Sequence, residues 1–72
     1  MTVKKGDEIK HTLFGGEVLT GIVEEIQICR VGEKEGRPVK SADVSKHHGV
    51  IDLNNGHWCY FDQVISVNEE RR

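Results

Sequence analysis

Seventy-two residues with a net charge of −2 make one small domain, too short for two cores and too nearly neutral for a binder driven by bulk electrostatics. A chain of this size buries only about 60% of its unfolded surface, so its core is modest and association with a partner or itself would supplement it. Two cysteines, no signal peptide and no apolar run long enough to span a bilayer make a reduced, cytoplasmic setting without a membrane partner the expectation.

Residues 1–5 read as a polar lead-in expected to fray. Gly6-Asp7 reads as a turn, and Glu8 to His11 as a first strand with Ile9 and His11 on its inward side. Thr12 to Gly16 is a loop. Gly15-Gly16 permit an irregular path, while Leu13 and Phe14 are too apolar to be simply solvated and are expected to fold back over one end of a barrel.

Glu17 to Val31 is the longest β-rich stretch, dense in branched residues and free of proline. Its alternation slips once. Leu19, Gly21 and Val23 share one parity, Ile26 and Ile28 the other. One extra residue at Glu24-Glu25 puts Val23, Ile26 and Ile28 on a common face, which is what a β-bulge does. Gly32 to Pro38 reads as a charged turn, and Pro38 leaves Val39 at most on a sheet edge. Lys40 to Gly49 admits two readings, a helical turn capped by Ser41 and stopped at Gly49, or an irregular loop. Residues 32–48 are therefore expected as a long central loop, a place where function often resides.

Val50 to Phe61 reads as a hairpin turning on Asn55-Gly56, residues that tolerate the positive φ of a two-residue type I′ turn. That register pairs Leu53 with Trp58 and Ile51 with Tyr60 on one apolar face, and Asp52 with Cys59 on the other. A three-residue loop, Asn54 to Gly56, pairs Asp52 with Trp58 and Leu53 with His57. It mixes polar with apolar residues and is disfavoured for that reason. Trp58 and Tyr60 are then core, with Phe61 and Phe14 the exposed aromatics. Asp62-Gln63-Val64 reads as a tight turn, Ile65 to Val67 as a final strand, and 68–72 as a tail expected to fray. From Met1 to that charged tail the chain reads as a small complete open reading frame.

The turn at Gly6-Asp7, the Gly15-Gly16 loop, the Gly21-Ile22-Val23 run and the Asn-Gly hairpin ending in Asp62-Gln63-Val64 together resemble the SH3-like small barrels of KOW and Tudor type. The resemblance covers most of residues 6–67 as a pattern, without a specific family motif. It implies a single all-β domain over 1–72, a closed barrel of about five strands, and a role as a docking or nucleic-acid-binding module.

Chemistry-bearing constellations are few. His47, His48, His57, Cys59 and Cys29 are the candidate metal ligands, but no Cys-x-x-Cys pair accompanies them, and no metal or cofactor is expected. Asp52 opposite Cys59 disfavours a thiolate, and no nucleophile elbow or phosphate-binding glycine loop is present, so an enzyme is not expected. Cys29 and Cys59 are expected as two buried free thiols rather than a disulfide. Arg30, Lys34, Arg37, Lys40, Lys46, His47 and His48 form a basic cluster diluted by Glu33, Glu35 and Asp43. With Phe14, His57 and Phe61 they make up the expected working surface. The primary reading is a non-enzymatic binding module or accessory protein that docks a protein partner or a copy of itself. The alternatives are a nucleic-acid-binding module using the Arg30–His48 cluster, and an oligomer with a shared ligand or catalytic pocket.

Overall fold

The computed structural model describes residues 1–30 and 36–68, and the backbone of Glu70–Arg71. The described residues are all-β: β1 (Thr2–Lys4), β2 (Glu8–Thr12), β3 (Val18–Ile28), β4 (Arg37–Val39), β5 (Ser41–Asp43), β6 (Gly49–Leu53), β7 (Trp58–Tyr60), β8 (Val64–Val67) and β9 (Glu70–Arg71), with one 3-10 turn over Phe61–Gln63. No helix among them is long and apolar enough to cross a membrane.

The long strand β3 organises the sheet. Its first half pairs with β2, from Glu8↔Ile22 to Thr12↔Val18. Its second half pairs with β6 along one edge and β4 along the other. Between the halves the register against β6 shifts, so that Val23 faces Leu53 and Glu25 faces Asp52, with Glu24 as the extra residue. The shift brings Val23 and Ile26 onto the buried face with Ile28 half-buried, as the alternation of the sequence anticipates. The bulge bends one strand enough to serve two parts of the sheet.

The strand order is β7-β6-β3-β2-β8-β9, all antiparallel, with β1 and β5 as a separate pair. The expected closed barrel of about five strands is corrected on two counts: nine strands are present among the described residues, and the end strands β7 and β9 do not pair. β7 is short, and the chain turns away from it at once. A side chain takes up the continuation, with Gln63 Oε1 accepting the Tyr60 N–H at 2.8 Å and Nε2 donating to the Thr12 carbonyl at 3.0 Å. The exposed Tyr60 N–H and the part-buried Thr12 carbonyl are thereby satisfied without a further strand pair.

The expected loop over 32–48 contains β4 and β5, and Pro38 sits in β4 on a sheet edge, where its missing N–H costs little. Within residues 1–5, Thr2–Lys4 forms β1 against β5. Val3 is fully buried opposite Ala42, and the Met1 ammonium reaches Asp43 at 3.2 Å. Asp43 also accepts the Ser45 hydroxyl and backbone N–H, which with the ammonium hold its pKa down at about 2. An Asx turn therefore follows β5 where a Ser41-capped helical turn was one expectation. At the other end Asn68, at φ 49°, turns the chain so that the backbone of Glu70 pairs with Val67.

The hairpin register is the consequential correction. Val50 pairs with Tyr60, Ile51 with Cys59 and Asp52 with Trp58, and the Leu53 N–H bonds the His57 carbonyl at 3.0 Å. The loop is Asn54-Asn55-Gly56, the three-residue alternative. Gly56 has φ +82°, and among the described residues Asn68 is the only non-glycine at positive φ, so Asn55 does not adopt the type I′ geometry. Side chains hold this loop. Asn54 bonds the Ile22 backbone through both its N–H and its Oδ1, and Asn55 Oδ1 accepts the His57 N–H. A one-residue slip exchanges the faces of every side chain. Cys59 and Phe61 are therefore buried, and Trp58 and Tyr60 lie outside. The core consists of Ile9, Val23, Ile26, Ile51, Leu53, Phe61, Val64 and their neighbours.

Candidate functional site

The outer face of β7, β6, β3 and β4 follows from the cross-strand partners. One row runs Trp58, Asp52, Glu25; the next runs Tyr60, Val50, Gln27, Pro38. Trp58 and Tyr60 are 47% and 45% exposed, and Phe14, on the turn between β2 and β3, is 80% exposed. The three rings touch one another edge to face. Trp58 and Tyr60 centroids lie 5.1 Å apart, and Phe14 stands 6.3 Å from Trp58 and 6.1 Å from Tyr60. Edge-to-face packing satisfies the ring quadrupoles while leaving much of each ring to solvent.

Phe14 reaches the other two because its turn is tightly held. The Leu13 N–H bonds the Glu17 carbonyl at 2.7 Å, the Gly16 N–H bonds the Leu13 carbonyl at 2.9 Å, and Gly16 supplies φ +89°. A cleft of about 330 Å³ beside the rings is lined by Leu13, Phe14, Gly56, His57, Trp58 and Gln63. Phe14 and His57, both expected at the working surface, are thus brought together. Phe61 is not with them. It is 1% exposed, and its ring packs so closely that a Cβ on Gly49 would stand 2.5 Å from Cζ.

A second cleft, of about 260 Å³, runs past Tyr60 and is lined by Cys29, His48, Gly49, Val50, Phe61 and Asp62 besides. Cys29 and His48 also line a third, of about 240 Å³, with Ile28, Arg30, Lys46 and His47. The Cys29 N–H bonds the His48 carbonyl at 2.8 Å, which fixes these two segments side by side. Four members of the basic cluster, Arg30, Lys46, His47 and His48, therefore converge. Arg37 sits opposite Ile28 at the margin of that group, Lys40 lies between β4 and β5, and Lys34 falls outside the described residues.

The cysteines differ from expectation in one respect. Both are free, but Cys29 is only half-buried, while Cys59 is fully buried. Burial first, and the Asp62 carboxylate second, push the Cys59 thiol up to about 12. Asp52 faces Trp58, not Cys59, because of the register. Among the described residues no three His, Cys, Asp or Glu side chains are grouped to hold a metal ion.

Sequence reasoning missed Trp58 and Tyr60 as surface residues, and Gln63 and Asn55 as the side chains that hold the surface in place. The signal available was the loop itself. Asn54-Asn55-Gly56 offers two side chains able to bond the backbone, which favours a three-residue turn and so turns both rings outward. No family model matches this chain, and no curated protein or solved structure matches it.

Proposed function

We propose that this chain is a non-enzymatic binding module of SH3-like type that docks a protein partner through the Phe14–Trp58–Tyr60 face. The observation that carries the reading is the set of three mutually touching, solvent-exposed aromatic rings in a chain with only four aromatics. Tryptophan and tyrosine dominate the energetics of protein interfaces, and clustered exposed rings mark interaction surfaces. The bulged strand β3, shared by both parts of the sheet, supports the SH3-like reading of the fold. Asp52 opposite Trp58 and Asp62 in the cleft beside Tyr60 give the face a negative rim, which favours a partner segment carrying Lys or Arg. The clefts, at about 240–330 Å³, lie at or below the small end of ligand pockets, which favours docking over a shared-pocket enzyme.

A second reading has one specific observation in its favour. Arg30, Lys46, His47 and His48 converge on a cleft that shares two lining residues with the Tyr60 cleft, so a basic patch adjoins an aromatic ring. That is the pattern of single-strand nucleic-acid binding.

The test is selection of short peptides from a displayed library on the immobilised chain, alongside titration with a single-stranded oligonucleotide at low and high salt. Docking predicts peptides rich in apolar and basic residues whose binding resists salt and is lost in Trp58→Ala and Phe14→Ala. Oligonucleotide binding that weakens steeply with salt and with Arg30→Glu, and no ring-dependent peptide, would replace this reading with the second.

A further inference from the structure

His11 is fully buried on the inner face of β2 and plays no part in the docking contacts. Nδ1 has no hydrogen-bond partner among the described residues. Nε2 lies 3.3 Å from Asn55 Nδ2. The Asn55 amide is oriented by the backbone, since Oδ1 accepts the His57 N–H at 3.0 Å and Nδ2 donates to the Thr20 carbonyl at 3.2 Å. The group that faces Nε2 is therefore a donor, so Nε2 accepts and the ring is neutral with its proton on Nδ1. A proton added at Nε2 sets donor against donor. Turning the Asn55 amide to offer its oxygen forfeits both backbone bonds at once. Gly21 makes the arrangement possible, because a Cβ there would stand 2.8 Å from Asn55 Nδ2.

We propose that His11 and Asn55 form a proton-sensitive latch, which holds the Asn54–Gly56 turn, and with it His57 and Trp58, in the docking arrangement while the ring is neutral and releases it when the ring is protonated. Burial holds the His11 pKa below its ordinary value. The Thr12 backbone opposes that effect in part, and the neighbouring His57 adds to it. The other elements around the ring place Leu19 of β3 and Val64 of β8 opposite it, while Glu8 and Lys10 of its own strand lie on the exposed face. The latch belongs to the free chain, so it stands or falls independently of what the aromatic face binds.

The experiment is a nuclear magnetic resonance titration of the ¹⁵N-labelled full chain across about pH 8 to 5, with each histidine ring assigned. The expected result is a His11 midpoint below about 6.5. The amides of Asn55 and His57 and the indole N–H of Trp58 should move with that same midpoint. Asn55→Ala should raise the His11 midpoint and uncouple the turn. Gly21→Ala should do the same by displacing the amide without altering ring or amide, which keeps the test readable if Asn55→Ala fails to fold. His57→Gln should leave the coupling intact and raise the midpoint slightly. The proposal is overturned if the turn signals follow the titration of His57, if they stay still while His11 titrates, or if His11 stays neutral throughout with the turn unmoved.

Discussion

The two faces of the β6–β7 hairpin are built from neighbouring residues and serve opposite ends. Inward, Ile51, Leu53, Cys59 and the following Phe61 are all at most 4% exposed. Outward, Trp58 and Tyr60 stand with Val50 and Asp52, joined by Phe14 from another turn. A fold selecting only for stability would place the largest rings inside, where an aromatic side chain buries the most surface. Here a cysteine takes the inner position between two of the four aromatics. The inner face is the scaffold, and the outer rings are what the scaffold displays.

Substitutions that respect or violate this division should separate stability from binding. Phe61→Ala should cost about 3–5 kcal/mol in urea unfolding, enough to unfold much of a domain this small. A loss under about 1 kcal/mol would mean that Phe61 is not the core residue described here. Trp58→Ala should cost stability only about 1 kcal/mol, the scale of an exposed aromatic pair. It should weaken docking by about 2 kcal/mol or more, roughly 30-fold. Equal losses in both measurements would erase the distinction between the faces.

Thiol chemistry sharpens the same contrast. In the native state a thiol reagent at mildly alkaline pH should modify the half-buried Cys29, with Cys59 reacting only through unfolding. The buried Cys59 thiol, pushed up to about 12, has almost no thiolate to offer. Cys59 labelling at the rate of Cys29 would show that the hairpin opens freely.

The gentlest probe is pH. His11 has a lowered pKa in the folded chain, so between that value and the unfolded one, about 6.5, the unfolded state binds more protons. The His11 contribution to stability is therefore complete above about 6.5 and is lost as pH falls through the folded pKa. In unfolding curves the advantage of the chain over His11→Gln should shrink as pH falls, and an advantage that grows as pH falls would contradict a neutral buried ring.

Where local pattern carried enough information, the sequence was legible. The inward pair Ile9 and His11, the bulge beside Glu24 and the turn at Asp62-Gln63 are each visible within a few residues, because each depends on alternation or turn chemistry. The hairpin was read one residue out of step. A two-residue loop made the better apolar face in isolation, but Asn54 is bonded to Ile22 on β3, a strand about 30 residues away in sequence. The candidate site inherited that error, which exchanged Phe61 for Trp58 and Tyr60.

By itself, then, the sequence determined an all-β chain, its long bulged strand and the place of its hairpin, since strand period and turn residues act locally. Tertiary structure decided which face of the hairpin is inside, that residues 2–4 and 41–43 form a strand pair, and that Phe14 meets Trp58 and Tyr60. Each of those depends on bonds and contacts between segments far apart in the chain, whose free energies become available only once the segments have met.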